Sequence, residues 1–238
     1  MTAPIWLWAH PRSRSTALER MILARGDVTV WHEPLVTLYD EGEVELAGAR
    51  LRSVAAVLEH AKAQPGRLFV KDTTEFRYSD ALDAGLVAGI THTFIVREPA
   101  AAIASHVAVK ADASCADIGY EHQHALFALL RELGLEPVVL DSDRLVAEPA
   151  GTVAAYCAAV GLPYRPQALR WEAGHRPEWE RTRRWHLAVE ASTGFAAAPA
   201  RPVELTGHLR DYYTHHRPYY DRMVRHALPL PRSQEAYE

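Results

Sequence analysis

Residues 5–16, IWLWAHPRSRST, place a short apolar run directly before a turn made of arginines and hydroxyl residues. The run at residues 5–9 has the length and composition of a buried strand. Beyond the turn, a helical pattern extends over residues 16–25 and is ended by Gly26. A strand, a polar turn and a helix in this order predict the first half of a βαβ unit.

The same alternation continues along the chain. Residues 28–31, 68–71, 91–96 and 137–140 are the further strand candidates, and residues 54–63, 100–110, 120–133 and 152–160 are the further helix candidates. Strands that alternate with helices favour a parallel sheet. The sequence therefore predicts an α/β fold in three layers, with a central, mostly parallel sheet between helices.

Length and composition limit the class of protein. The 238 residues suit a single α/β domain, and 26 basic against 30 acidic residues give a net charge of −4, which does not suggest a nucleic-acid partner. Cys115 and Cys157 lack metal or redox spacing and are expected to be reduced thiols. No apolar stretch approaches the roughly 20 residues of a membrane span, and residues 1–12 do not resemble a signal peptide. We therefore expect a soluble, cytoplasmic protein that does not bind membranes.

The chain is expected to form one domain, residues 1–238. Residues 1–163 are expected to form its α/β core, and residues 164–238 a C-terminal extension. Within the extension, the Ala/Pro-rich residues 196–202 are expected to form a loop. A final helix is expected over residues 205–228, kinked or split by Pro218.

The turn after the first strand has the composition of an anion-binding site. The amino end of the following helix offers free backbone N–H groups and a partial positive charge. Ser13, Ser15 and Thr16 add hydroxyl groups, and Arg12 and Arg14 add cations suited to phosphate or sulfate oxygens. Simple helix capping is the alternative for the hydroxyl residues. The Walker pattern GxxxxGK[ST] is absent, which argues against a kinase-type phosphate loop.

A second motif follows the strand at residues 91–96. Arg97 ends that strand, Glu98 and Pro99 follow, and Ser105 lies eight residues after Arg97. If the next helix begins near Pro99, Arg97 and Ser105 face the same crevice above the carboxyl ends of the strands. A surface salt bridge between Arg97 and Glu98 is the alternative.

Together these motifs resemble those of bacterial, small-molecule sulfotransferases, which use the donor PAPS (3′-phosphoadenosine 5′-phosphosulfate). The turn resembles the family's 5′-phosphosulfate loop, roughly P-[KR]-S-G-[ST]-[ST], with Arg14 at the usual glycine. Arg97 and Ser105 resemble the pair that binds the 3′-phosphate. Residues 138–163 also resemble a structural segment of the family, so the likeness extends over about residues 5–163. It implies the P-loop-like sulfotransferase fold and the release of PAP, the desulfated donor. It also implies that residues 1–163 are the nucleotide-binding core and that residues 164–238 cover the site.

The resemblance also suggests catalytic residues. Arg12 is the candidate that stabilises charge on the leaving oxygen. Glu33 is the first candidate for the general base and His32 the second. The alternative for His32 is a strand-end histidine with structural hydrogen bonds. Lys71 is expected beside the transferred group. Asp72 is expected to orient Lys71 or to act as a third base, unless the two form a surface ion pair.

The basic segment at residues 181–185 is expected to fold over the nucleotide, and Arg184 is its candidate donor contact. Otherwise this segment is a solvated face. The histidines after residue 170 show no metal spacing, and His215 and His216 are expected at the surface. No metal is expected, since arginines and backbone amides can neutralise the donor.

Two other functions remain open from the sequence. One is a P-loop-like kinase or other phosphotransferase, and the other is a catalytically inactive family member that binds a nucleotide or a partner. For a sulfotransferase, the acceptor is expected to be a small molecule that offers a hydroxyl or an amine.

Overall fold

The computed structural model describes residues 2–195 and 203–229. Its strands are β1 (Ile5–Ala9), β2 (Thr29–His32), β3 (Val44–Leu46), β4 (Ala49–Leu51), β5 (Leu68–Thr73), β6 (Thr91–Val96) and β7 (Val138–Asp141). Five of them form a parallel sheet in the order β2-β5-β1-β6-β7, while β3 and β4 form a separate antiparallel hairpin. The central strand is therefore the one that begins the sequence motif discussed above.

The helices connect and cover these strands. They are α1 (Ser15–Arg25), α2 (Pro34–Glu41), α3 (Val54–Lys62), α4 (Ala84–Val87), α5 (Pro99–Val107), α6 (Tyr120–Glu132), α7 (Ser142–Ala147), α8 (Pro149–Ala159), α9 (Leu187–Glu190) and α10 (His208–Val224). Short 3₁₀ turns occur at Tyr78–Ala81, Ala116–Ile118, Pro166–Leu169 and Pro177–Trp185.

Side chains alternate along β1, so this strand contributes to the core on both faces of the sheet. Trp6 and Trp8 point to one face, where they pack with residues of β6, α3 and α6, while Ile5 and Leu7 point to the other, against α1 and α8. All five residues of β1 are buried. A central parallel strand must be apolar on both faces, because helices cover each side.

The predicted fold class is confirmed: a parallel sheet lies between two helical layers. The expected strands and helices occur within one to four residues of their predicted ends. Helix α2 and the β3–β4 hairpin were not predicted. Pro34 opens α2, and proline at the first helical position is a start signal.

The C-terminal part differs from its prediction. Helix α10 includes Pro218 and continues to Val224, so the proline does not split it. Its packing against α5 and α6 offsets the lost hydrogen bond. The predicted loop at residues 196–202 lies outside the described residues. Among those that are described, no helix combines the length and the apolar character that crossing a membrane requires.

Strand order also fixes the position of a binding crevice. From β1 the chain moves to β2 on one side of the sheet, whereas β6 leads to β7 on the other side. The order of strands therefore reverses between β1 and β6. Open α/β sheets bind ligands outside the carboxyl ends of the strands at such a point. The turn at residues 10–14 and Arg97 both lie there.

Candidate functional site

A cavity of about 700 Å³ opens above the carboxyl ends of the central strands. Its walls come from the turn before α1, the ends of β2 and β5, helix α5 and the segment 181–195. Of the predicted site residues, those that line it are Arg12, Arg14, Ser15, Thr16, Glu33, Lys71, Arg97, Ser105 and Arg184. Residues that are far apart in the sequence thus meet in one place.

The turn before α1 holds two arginines in an unusual backbone conformation. Arg12 has φ 65° and Arg14 has φ 67°, the left-handed region that favours glycine. The similar family motif has glycine at the position of Arg14, and the backbone here keeps the glycine-like geometry. The Arg14 guanidinium turns toward the start of α7 and pairs with Asp143 at 2.5 Å. Arg14 therefore points out of the turn and leaves the helix amino end accessible.

Arg12 and Arg97 stand side by side in the crevice. Arg12 Nε donates to Ser105 Oγ at 3.0 Å, and Arg97 Nη1 donates to the carbonyl oxygen of Arg12 at 2.9 Å. Neither guanidinium has a carboxylate within ion-pair distance among the described residues. Burial and the charge of Arg14 lower the pKa of Arg97 to about 10, so it stays a cation at neutral pH. Two uncompensated cations at a helix amino end make an anion site.

Glu98 has a role other than the alternative salt bridge with Arg97. Its carboxylate accepts from the backbone N–H of Ala101 at 3.2 Å and so caps the amino end of α5. The alternative in which Glu98 neutralises Arg97 is therefore wrong. Capping by Glu98 positions α5, and with it Ser105, relative to Arg97.

Glu33 and Lys71 form a buried ion pair at the cavity floor. Lys71 Nζ donates to Glu33 Oε1, and Glu33 Oε2 lies 3.4 Å from His32 Nε2. Lys71 is 1%, Glu33 5% and Asp72 0% exposed, so the alternative of a surface ion pair between Lys71 and Asp72 is wrong. The pairing follows from the sheet, where His32 lies opposite Lys71 in the parallel register of β2 and β5.

His32 completes a network of four ionisable groups. Its Nδ1 lies 2.9 Å from both carboxylate oxygens of the buried Glu19, on helix α1. Burial opposes the charged imidazole, but Glu19 and Glu33 together raise the pKa of His32 to about 9. Burial would also raise the pKa of Glu33, yet Lys71 and His32 hold it well below its usual range. At neutral pH the network contains two carboxylates and two cations.

Asp72 faces away from the cavity. Its Oδ1 accepts from the backbone N–H groups of Leu35 and Val36, at 3.0 and 3.3 Å, at the start of α2. Side chains alternate along a strand, so Asp72 and Lys71 point to opposite faces of β5. The expectation that Asp72 orients Lys71 or acts as a base is therefore wrong, and this carboxyl holds α2 against the sheet.

The segment 177–195 covers the cavity through specific contacts. The Trp185 carbonyl oxygen accepts from Arg12 Nη1 at 2.6 Å, and the Trp185 ring stacks on His106 at 5.2 Å. Thr182 Oγ1 lies 3.1 Å from His32 Nε2 and 2.9 Å from His186 Nε2. The cover thus bonds both to the anion-binding turn and to the buried network.

The arginines of this segment make different contacts. Arg181 pairs with Asp40 of α2 at 2.8 Å, and Arg183 pairs with Glu190 of α9 at 3.1 Å. Arg184 has no ion pair among the described side chains, and its guanidinium lies 5.2 Å from the Trp185 ring centroid. It is the one arginine of the segment that faces the cavity with its charge uncompensated. The segment as a whole is therefore not a plain solvated face.

Four residues of the site were not predicted from the sequence. Glu19, Glu75, His106 and His186 belong to no motif, and only the fold brings them to the cavity or its network. Burial, with the charges of Glu33 and Asp40, raises the pKa of Glu75 to about 7. Burial lowers the pKa of His106 to about 4, so this imidazole is neutral. The one available signal was the position of Glu75, shortly after the end of a strand that reaches the crevice.

Two groups of side chains in the described ranges have ligand atoms close enough for a metal ion, within 4.8 Å: His32, Glu33 and His186, and Cys115, His215 and His216. In the first group, Glu19, Lys71 and Thr182 already bond to these atoms. In the second, His216 Nε2 donates to the Cys115 carbonyl oxygen at 2.8 Å. His216 is 1% exposed, so the expectation that it lies at the surface is wrong, because α10 packs it against the 3₁₀ turn after Cys115.

The sequence of this chain is similar to those of known proteins. A family model described as "Sulfotransferase domain" matches residues 3–227. Branched-chain-amino-acid aminotransferase-like proteins 2 and 1 of Arabidopsis thaliana are each 26% identical, over 211 and 212 residues. These alignments include 83% and 82% of this chain but 37% of each relative. The chain therefore spans little more than a third of the length of the curated relatives it matches.

Solved structures show a similar fold at low identity. The sulfotransferase domain from the curacin biosynthetic pathway aligns with TM-score 0.57 and 14% identity, over 96% of this chain and 99% of that one. A sulfotransferase from Alicyclobacillus acidocaldarius aligns with TM-score 0.53 and 11% identity, over 94% and 95% of the two chains. At this identity the likeness concerns the arrangement of strands and helices.

Proposed function

Because this chain belongs to the sulfotransferase family, we propose that it transfers the sulfuryl group of PAPS to a hydroxyl or amine of a small molecule and releases PAP. A single observation carries the proposal. Three cations of the cavity, Arg12, Arg97 and Arg184, have no carboxylate partner among the described residues, while most other charges around them are paired. A donor with a phosphosulfate and a 3′-phosphate supplies anions for such a set.

Orphaned polar atoms also support the donor site. Ser13 Oγ and Arg97 Nε are buried and have no hydrogen-bond partner within the described structure. Buried polar atoms are normally satisfied, and Arg97 lines the cavity, so its Nε suits a ligand oxygen, whereas Ser13 belongs to the turn but does not line the cavity. In the proposal, Ser13, Ser15, Thr16 and Arg12 bind the phosphosulfate at the amino end of α1. Arg97 and Ser105 bind the 3′-phosphate. Arg14, held by Asp143, shapes the turn.

The transfer requires a base for the acceptor and a cation for the leaving group. As a new bond forms between the acceptor oxygen and sulfur, the bond from sulfur to the bridging phosphate oxygen breaks. The hydroxyl proton passes to Glu33, and the electron pair leaves on PAP. Glu33 suits this role because it is ionised and lines the cavity. His32, protonated below pH 9, has no free lone pair and serves to hold Glu33.

Lys71 and Arg12 supply positive charge on either side of the reacting group. Lys71 already contacts Glu33. A sulfuryl group bound beside Lys71 would therefore contact the same ammonium group as the base. Arg12 stabilises the charge on the leaving oxygen. We also propose that residues 1–238 act as one domain in which the segment after residue 163 excludes water from this step. The contacts of Trp185 and Thr182 support this cover.

Thermal unfolding with nucleotides tests the donor. A ligand at 100 times its Kd stabilises a protein by about 2.7 kcal/mol. We expect PAP without magnesium to raise Tm strongly, and ADP or ATP to have little effect. The matched control is Arg97→Ala, which should lose most of the PAP shift but not the fold. Stabilisation by ATP with magnesium and none by PAP would support a kinase instead. Stabilisation by PAP without PAPS turnover across a broad acceptor panel would support an inactive, nucleotide-binding protein.

A further inference from the structure

Among the described acidic side chains of the cavity, one lacks an ion pair. Four carboxylates line it, and three of them form ion pairs. The pairs are Lys71–Glu33, Lys110–Asp117 at 2.7 Å and Arg181–Asp40 at 2.8 Å. The fourth, Glu75, has neither an ion pair nor a side-chain hydrogen bond in the described part of the chain. Among the described residues, Glu75 is thus the cavity carboxyl without a cationic partner. The cavity cations without a carboxylate partner are assigned to the donor.

Glu75 follows β5, whereas Arg97 follows β6, on the other side of the central strand β1. Glu33 follows β2, the neighbour of β5, and therefore lies on the same side of β1 as Glu75. The cavity thus has one side with Arg97, suited to the donor, and another with the base and a carboxyl that has no ion pair among the described residues. An acceptor that presents its hydroxyl to Glu33 extends toward Glu75.

An aromatic neighbour makes this end suitable for a cationic group. Phe76, next in the chain, lines the cavity and stacks on Tyr39 at 5.0 Å, so it offers an aromatic wall. His106 also lines the cavity, but toward the donor end, because its ring stacks on Trp185 and the adjacent Ser105 accepts from Arg12. It has no partner for either ring nitrogen in the described residues, so it offers a bound ligand unused hydrogen-bonding capacity.

The raised pKa of Glu75 is consistent with binding of a cationic group. Burial and two neighbouring carboxylates raise its pKa to about 7, which means that the empty cavity disfavours its charge. A cation placed beside it restores the ionised form. An ammonium gains more from an ionised Glu75 than a neutral or anionic group of the same shape does.

On the premise of the sulfuryl transfer proposed above, we propose that the acceptor is an alcohol or phenol bearing a protonated amine, and that Glu75 binds the ammonium. Its hydroxyl meets Glu33, while Phe76 lines the cavity beside the ammonium. Glu75 thereby determines acceptor specificity, and it takes no part in the proton transfer.

Matched acceptors test this assignment. The probes are tyramine, 4-propylphenol and 3-(4-hydroxyphenyl)propionate, and a second series of 6-aminohexan-1-ol, heptan-1-ol and 7-hydroxyheptanoate. With PAPS at pH 8, we expect kcat/KM for the amine of at least one series to exceed that of its neutral analogue tenfold or more. In Glu75→Gln this ratio should fall below about threefold, with the Kd of PAP unchanged. The control Asp80→Asn removes an exposed carboxyl and the same charge, and should retain the preference.

Each outcome bears on one of the two proposals. Equal or better use of the neutral or anionic analogues, or a preference that survives Glu75→Gln, would overturn the role of Glu75. So would a protein that binds PAP but neither sulfates the amines nor is stabilised by them when PAP is bound. Absence of any stabilisation by PAP would instead overturn the sulfuryl transfer on which the inference rests.

Discussion

Replacing Lys71 by methionine removes one cation from the buried network beneath the cavity and leaves Glu33 to face the interior alone. The two residues are 1% and 5% exposed, so water reaches Glu33 only from the cavity and compensates little for the loss. Breaking a buried pair from one side costs about 3–5 kcal/mol. His32, 3.4 Å from the other Glu33 oxygen, retains part of the neutralisation. We therefore expect a loss near the lower limit, about 3 kcal/mol.

This loss is large enough to measure. An unfolding entropy of about 2.1 cal/mol/K per residue gives about 0.5 kcal/mol/K for a chain of this length, so 3 kcal/mol corresponds to a fall in Tm of roughly 6 °C. Urea unfolding at pH 7.5 without ligand gives the free energy directly. The control is Lys62→Met, which removes a lysine paired with the exposed Glu59 and should cost less than about 1 kcal/mol.

The double variant Lys71→Met with Glu33→Gln decides the cause. If an unpaired carboxylate produces the loss, neutralising Glu33 should recover at least half of it, because no buried charge then remains in the pair. If the two single effects simply add, or if Lys71→Met costs less than about 1 kcal/mol, the pair does not stabilise the fold in the way described.

Three further results are expected. Glu33→Gln should lower kcat by about 10²–10⁴ with little change in PAP affinity, because a general base contributes that much; normal turnover would remove Glu33 from the chemistry. For His32, the folded pKa of about 9 exceeds the unfolded value near 6.5, so its stabilisation is complete below pH 6.5 and is lost as pH rises through 9. Unfolding free energies between pH 7 and 9 should therefore fall more steeply for the wild type than for His32→Gln, by up to about 1.4 kcal/mol per pH unit, and parallel curves would contradict this. Because the folded pKa of Glu75 is raised to about 7, its ionisation costs stability above that pH, so Glu75→Gln should raise Tm at pH 8 but not at pH 4.5; a lower Tm at pH 8 would show that Glu75 has a partner.

The sequence contains enough information for the fold and for the donor end of the site. Local patterns place Arg12 after β1 and Arg97 after β6, and the carboxyl ends of parallel strands meet at one edge. Those two residues therefore had to be near each other. Their relation to Ser105 follows in the same way, from the length of one helix.

The acceptor end depends on long-range order that no local pattern encodes. Lys71 meets Glu33 because β2 and β5 are neighbours in register, and the strand order was not known from the sequence. The sequence does not distinguish Asp72 from Lys71 as a site residue. The alternation of side chains along β5 places the two on opposite faces of the sheet. Glu75 was missed because an isolated glutamate becomes notable only when the neighbouring carboxylates are seen to be paired.

The cover over the cavity also gives the protein an optical reporter. Five of the six tryptophans are buried: Trp6, Trp8, Trp31, Trp171 and Trp179. Trp185 is partly exposed, lines the cavity and bonds through its carbonyl oxygen to Arg12. Its fluorescence should therefore respond to a bound nucleotide while the other indoles remain a constant background. Trp185→Phe would silence that response, so intrinsic emission can follow ligand arrival and departure in real time without any added label.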